Sequence, residues 1–228
     1  MKFANILFEK DSIVSKDFDD TYFSKNSVIK EKSYVFLEKN NIPQIWQNKE
    51  KIIIGENGFG LGLNFLLTCK AFMKDEKRAK ELVFYSFDLF PLKFEDLKKI
   101  YKNFNELKPF TDELLKHYKN LKNGINIFFF ENMNITLILI IDEALSALKS
   151  FEKIDIWFID GFSPSKNSDM YRDNIFEEIK NKSRQGTVFS TYSSAGIIKQ
   201  GMQKAGFEVI KTKGFGEKKH MLVGEFKG

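Results

Sequence analysis

The 228 residues carry a formal net charge of +5, with 43% hydrophobic and 29% charged side chains and a single cysteine, Cys69. That hydrophobic share excludes a disordered chain, and one cysteine excludes an internal disulfide framework. With only His117 and His220 beside Cys69, no cysteine- or histidine-built metal centre is in view.

A soluble, cytoplasmic protein is the expectation. Residues 1–8 are too short an apolar run for a targeting segment, Glu9, Lys10 and Asp11 interrupt it, and the run 135–141 falls far below membrane-spanning length. The positive balance permits a polyanionic partner. Lysines are scattered, however, and Lys, Asn, Ile and Phe are all abundant, so a compositional bias explains the charge equally well.

In chain order, residues 1–46 read as a small β-rich extension. Short apolar and polar stretches alternate through 27–46, a turn falls at Asn40 and Asn41, and Pro43 to Trp46 lead into the core. Such an appendage either covers the mouth of a parallel sheet or serves packing.

Residues 52–68, IIIGENGFGLGLNFLLT, then predict strand, tight turn and helix, the opening unit of a nucleotide-type α/β sheet. The spacing is G-x-G-x-G at Gly58, Gly60 and Gly62. A dinucleotide fingerprint needs its third glycine at position 63, which is Leu63. Glu56 before the turn makes E-x-G-x-G, a pattern of S-adenosylmethionine (SAM) sites; the alternative is a structural glycine turn.

The run 82–87 is the second strand and ends on Asp88, where one carboxylate accepts from both hydroxyls of an adenosine ribose. Helical stretches follow at 94–101 and 111–121. Runs 125–130 and 135–141 form a hairpin whose second arm ends on Asp142, an acid placed to accept from an adenine amino group. The run 154–159 leads into Asp160-Gly161-Phe162-Ser163-Pro164, the candidate reaction loop, whose alternative role is a turn capping the next helix. The run 186–192 ends on Tyr192, and 207–211 and 221–226 close the chain. Strand and helix alternate without repeats or linkers, so one domain is expected, with residues 1–46 the extension and 47–228 the catalytic core.

Five stretches, DIWFIDGFSPSKNSDMY, STYSSAGIIKQGMQKAGFEVIKTKGFG, ENGFGLGLNFLLT, YFSKNSVIKEKSYVFLEKNN and FDLFPL, resemble in register the tRNA 5-methylaminomethyl-2-thiouridine methyltransferase family (MnmC type), over about residues 20–226. The resemblance implies a SAM-dependent enzyme that methylates the 5-aminomethyl group of the wobble uridine in tRNA. It implies a Rossmann-like fold with a seven-stranded, mostly parallel, doubly wound sheet. Carried over by motif, Glu56, Gly58, Phe59, Gly60, Gly62, Asn64, Asp88, Asp142 and Asp160 would hold SAM. Asp160 would face the amine, with no metal. Phe162 and Tyr192, which flank the proposed pocket in sequence, and Tyr22 are the candidates to give a flipped base an aromatic face.

The chain departs from that pattern at three places. Leu61 stands where Thr is usual, Asp88 where Glu is usual, and Glu217 where a basic residue is common. Better-known members also carry a flavin-dependent oxidoreductase domain, so no FAD is expected in these residues, and a separate oxidoreductase or tRNA-modifying enzyme would supply the substrate. Two rivals stay open: an N-methyltransferase of a small-molecule or protein amine, and a non-catalytic nucleic-acid-binding module with a vestigial SAM pocket.

Overall fold

The computed structural model describes residues 1–10, 12–24 and 28–228; Asp11 and positions 25–27, the latter inside one of the resembling stretches, lie outside these. The chain opens on a small antiparallel sheet of β1 (Ile6–Phe8), β2 (Ser12–Ser15) and β3 (Asp20–Ser24), paired in that order. The expected β-rich extension is therefore present in its first half.

Its second half is helical instead. Helix α1 (Val28–Lys32) runs into a π-helical turn over Ser33–Leu37, then short 3-10 turns over Glu38–Asn40 and Gln44–Trp46. Val28, Val35 and Phe36 are all buried, and their separations of seven and eight residues fit a helix period rather than a strand period. Asn40 Nδ2 donates to the Phe36 carbonyl (2.9 Å) and to Ser190 Oγ (2.7 Å), which ties this segment to the main sheet.

The main sheet comprises β4 (Lys51–Asn57), β5 (Glu81–Phe87), β6 (Gly124–Phe130), β7 (Ile135–Ile141), β8 (Ile154–Phe158), β9 (Ser183–Thr191), β10 (Phe207–Thr212) and β11 (Met221–Phe226). Their order is β10-β11-β9-β8-β4-β5-β7-β6. It has eight strands rather than the expected seven, because both arms of the hairpin join it: β6 pairs antiparallel with β7 from Gly124↔Ile141 to Phe130↔Ile135. Strands β9, β8, β4, β5 and β7 are mutually parallel, as expected of the core of a doubly wound sheet.

Helices cover both faces. Among them, α2 (Leu63–Lys74), α3 (Phe94–Tyr101) and α4 (Lys108–Tyr118) pack over a core that includes Phe65, Phe72, Phe84 and Phe158. On the other face α5 (Ala144–Lys149), α6 (Asp173–Lys182) and α7 (Gly196–Lys204) pack over a core that includes Trp157, Phe176 and Phe189. Near-continuous apolar runs such as 52–54 follow from this two-sided burial.

Candidate active site

The direction of winding reverses between β4 and β8, the point at which an open parallel sheet leaves a crevice beyond its carboxyl ends. A cavity of about 670 Å³ lies there, and its lining includes Gly58, Gly60, Asn64, Asp88, Asp160 and Tyr192.

The turn after β4 is held by its own backbone. Phe59 N–H donates to the Phe87 carbonyl at 2.8 Å, and Gly62 N–H to the Phe59 carbonyl at 2.7 Å. Gly62 has φ +66°, and a Cβ there would lie 2.7 Å from the Phe59 ring, so glycine is required both by conformation and by space. Gly58, with φ +86°, faces the backbone of Gly161, where a Cβ would stand 3.6 Å from its Cα. At Gly58 it is the positive φ rather than space that calls for glycine, and the turn there packs in ordinary contact with the loop at Gly161. Leu61, at the position usually Thr in the resembling family, is buried and gives its carbonyl to the Tyr101 hydroxyl (2.7 Å).

Asp88 leaves the end of β5 and turns onto the glycine loop. Its Oδ2 accepts from Gly60 N–H (2.9 Å) and its Oδ1 from Phe90 N–H (3.0 Å). Burial pushes its carboxyl up to about 6, against these two donors, which favour the charged form. Each oxygen keeps a lone pair for a further donor.

Glu56 does not line the cavity. It is 1% exposed behind it, with Oε2 accepting from Ser86 Oγ (2.7 Å) and Oε1 from Asn64 Nδ2 (2.7 Å). Desolvation, with help from the nearby Asp160 charge, raises its carboxyl to about 8. The same Asn64 Nδ2 also donates to Asp160 Oδ2 at 2.8 Å, while Asn64 Oδ1 is buried with no partner. Ser86, Glu56, Asn64 and Asp160 therefore form one connected chain from the sheet interior to the cavity.

Asp160 ends that chain, and a residue not expected from the sequence meets it there. Lys32, from α1, places Nζ 2.5 Å from Asp160 Oδ2 and 5.3 Å from the centre of the Phe36 ring. Lys32 lies 128 positions upstream of Asp160, inside a stretch read as β-rich, and no local spacing relates the two.

The reaction loop is fixed from three sides. Tyr192 donates its hydroxyl to the Gly161 carbonyl (2.7 Å), Tyr171 to the Phe162 carbonyl (3.0 Å), and Ser163 N–H donates to Asp20 Oδ2 of β3 (2.9 Å). The Phe162 ring stacks on Phe18 with centroids 4.8 Å apart and meets Tyr22 edge-on at 5.0 Å. Lys218, from the loop between β10 and β11, sits over the Tyr192 ring at 4.4 Å.

Asp142 is likewise set back from the cavity. Its carboxylate accepts from Glu143 N–H (2.8 Å) and Ser146 Oγ (2.6 Å) at the start of α5, and the neighbouring Glu143, Ala144 and Leu145 line the cavity in its place. Of the candidate residues, Gly58, Phe59, Gly60, Asn64, Asp88, Asp160, Phe162 and Tyr192 all reach the cavity, whereas Glu56, Gly62 and Asp142 are not part of its lining.

The S-adenosyl-L-methionine-dependent methyltransferase family matches residues 105–227, just over half of the chain. The chain belongs to that family.

Curated relatives include the tRNA 5-methylaminomethyl-2-thiouridine biosynthesis bifunctional protein MnmC of Campylobacter jejuni (strain 81116), 38% identical over 97% of this chain and 36% of that protein. The protein of the same name from Marinomonas is 38% identical over 92% of this chain and 32% of its own length. The chain thus spans about a third of the curated relatives it matches. Among solved structures, MNMC2 from Aquifex aeolicus superposes over 100% of this chain and 71% of its own, with a TM-score of 0.76 at 20% identity, a likeness of fold.

A methyltransferase of this family uses SAM, and the cavity has the features such a ligand needs. Its volume of about 670 Å³ falls within the few hundred to roughly 1,000 Å³ usual for small-molecule sites. Its acids, Asp20, Glu31, Asp88, Glu143, Asp160 and Asp169, outnumber the bases Lys32, Arg172 and Lys218, which favours a sulfonium cation inside a protein of net positive charge. Asn64 Oδ1, buried beside the glycine turn with no partner, is an acceptor left over for a donor from a ligand. Among the described residues there is no cluster of His, Cys, Asp and Glu suited to a metal ion, and no helix is long and apolar enough to cross a membrane.

Proposed function

We propose that these 228 residues form one catalytic domain that methylates the 5-aminomethyl group of the wobble uridine in tRNA, and that the protein works in the cytoplasm. The single observation that carries the reading is Asp160. It is a carboxylate at the cavity wall, 9% exposed, held on one oxygen by Asn64 and Lys32 and flanked by aromatic side chains. That is the equipment for orienting an amine. The names of the curated relatives and the five stretches in register supply the substrate.

SAM supplies an electrophilic methyl group on a sulfonium. In this reading Asp88 accepts from the ribose hydroxyls while Gly58, Phe59 and Gly60 carry the backbone surface against which the ligand packs. Glu143, Ala144 and Leu145, which line the cavity beside Asp142, would hold the adenine. Glu56 acts through Asn64, as a positioning residue. Among the described residues, Lys32 and Asn64 both meet Asp160 at Oδ2, so Oδ1 is assigned to the amine N–H.

A wobble base must leave its stack to enter such a cavity, and a flipped base needs an aromatic face. Phe162 already lies in a cluster with Phe18 and Tyr22, so Tyr192, gripped by its hydroxyl and topped by Lys218, is assigned to the base. A separate oxidoreductase or tRNA-modifying enzyme is assigned the supply of the aminomethyl substrate. Mass spectrometry of wobble nucleosides from cells lacking the gene tests the reading. Accumulation of the unmethylated aminomethyl uridine is expected; an unchanged nucleoside profile would count against it.

A further inference from the structure

An amine bound by a carboxylate presents a problem that the site must solve. An aminomethyl group in water is largely protonated, an ammonium has no lone pair to attack with, and a lone carboxylate next to it stabilises the ammonium further. Asp160 alone would therefore hold the substrate in its unreactive form.

Asp160 is not alone. The Lys32 ammonium meets its Oδ2 at 2.5 Å, and the Lys32 side chain is 18% exposed, so this pair sits at the inner wall of the cavity rather than on the surface. An amine that reaches the same carboxylate comes close to a second positive charge, and a like charge within a few ångströms disfavours protonation.

The other charged and titratable groups around the pair do not supply that balance. Glu56 lies behind Asn64 on the β4 side, Asp20 reaches in from β3, and Tyr171 and Tyr192 donate their hydroxyls to the Phe162 and Gly161 carbonyls of the reaction loop. Lys218, which also lines the cavity, is directed to Glu31 (3.4 Å) and to the face of Tyr192. Of these groups, Lys32 is the one that brings positive charge onto Asp160 itself.

Resting on the aminomethyl reading, we infer that Lys32 is a positioning residue that sets the protonation state of the substrate amine. Its charge offsets that of Asp160, so the amine binds as the free base after releasing its proton to water. Asp160 can then orient the nitrogen by hydrogen bond without capturing it as an ion pair. After transfer the nitrogen, now a secondary ammonium, again faces Lys32, and the same repulsion promotes loss of its proton to solvent.

The test is single-turnover methylation of aminomethyl-uridine tRNA across pH, at saturating SAM, by wild type, Lys32→Met and Lys32→Arg. Lys32→Met is expected to move the rising limb of the rate profile up by roughly one pH unit or more. Near neutral pH its rate then falls about ten-fold or more, recovering to within about three-fold of wild type at high pH, while Lys32→Arg keeps the wild-type limb.

A second measurement does not depend on turnover. Carbon-13 NMR of an anticodon stem-loop labelled at the aminomethyl carbon, bound together with S-adenosylhomocysteine, reports the amine's titration midpoint. The midpoint should be higher in Lys32→Met than in wild type, and Lys32→Gln gives the same comparison if Lys32→Met does not fold. A midpoint that does not move, or a rate lowered equally at every pH, overturns the role of Lys32 and leaves the aminomethyl reading standing. A wild type that binds SAM but neither binds the stem-loop nor methylates it overturns that reading itself.

Discussion

The two walls of the cavity are built on different principles. The sheet wall, from β4 through the glycine turn to Asp88 and Asp160, is set by backbone geometry and buried hydrogen bonds, with Glu56 and Asp88 both shifted upward by burial. The opposite wall comes from residues 18–22 and 28–36, and surface pairs such as Lys166 with Asp19 and single contacts such as Asp20 with Ser163 fasten its edge to the reaction loop. The first wall is gathered from the carboxyl ends of successive parallel strands; the second comes from a segment near the start of the chain. On the proposed reading the first holds the cofactor and presents Asp160 to the amine, and the second brings Lys32 to that carboxylate.

Breaking the junction between the walls should have the largest effect. Asp160→Asn keeps the shape but removes the charge that both Asn64 and Lys32 meet. A reacting group held about 1 Å out of line can lose about a hundred-fold in rate, so single-turnover methylation should slow by about that much or more with near-normal SAM affinity. A mutant within about three-fold of wild type at every pH would reduce Asp160 to a packing residue.

The sheet wall can be probed through stability. The Glu56 carboxyl rises from 4.5 to about 8 on burial, so the folded state binds a proton that the unfolded state has released between those values. Its contribution is fully present below pH 4.5 and is lost as pH climbs towards about 8. In the ligand-free protein, Glu56→Gln should remove that slope. It should melt higher than wild type at pH 8, by an amount on the order of a few kcal/mol, and show no such gain at pH 5. Parallel melting curves for the two proteins across this range would contradict the assignment.

These two residues also show what could be read in advance. Glu56, Asp88 and Asp160 were legible because each ends a buried strand, and a parallel sheet gathers such ends at one edge. The sequence could not distinguish an acid that faces the cavity from one that stands behind it: Glu56 and Asp142 have the same local pattern as Asp88, and only the partners Ser86, Asn64 and Ser146 separate them. The second half of the N-terminal extension was misread as β-rich, since its buried positions are few and their helix spacing spans a π-helical turn. That misreading hid Lys32, whose partner is 128 residues away. The eighth strand was visible as an apolar run but not as a sheet member, because a hairpin arm can equally stand apart from the sheet.

A smaller effect is expected at Asp88. A hydrogen bond to a charged group contributes roughly 1.5–3 kcal/mol, so Asp88→Ala should weaken SAM binding about ten-fold or more by calorimetry. Because its carboxyl sits at about 6, wild-type SAM affinity should also fall as pH drops below that value, and the mutant should lack this dependence. Unchanged affinity in a folded mutant would remove Asp88 from the ribose.

At the end of β9, Tyr192→Ala should cost roughly 1–3 kcal/mol in tRNA binding while sparing SAM, measured by titration at fixed salt. Loss of SAM affinity instead would mean that the ring only braces Gly161. The smallest effect is expected at the fastening pair: Asp19→Asn removes an exposed ion pair with Lys166 and should leave the melting temperature without measurable change. A clear drop would show that the N-terminal wall is held more by this contact than by the Phe18, Tyr22 and Phe162 cluster.

The central claim is that this cavity transfers a methyl group to the aminomethyl nitrogen of a wobble uridine. The most direct measurement is incubation of the purified chain with methyl-labelled SAM and tRNA bearing 5-aminomethyl-2-thiouridine, followed by nucleoside mass spectrometry. The account predicts label on the exocyclic amine of that one nucleoside and none on tRNA lacking the aminomethyl group. Binding of SAM with no label in tRNA, or label on a free small-molecule amine in preference to it, would contradict the account.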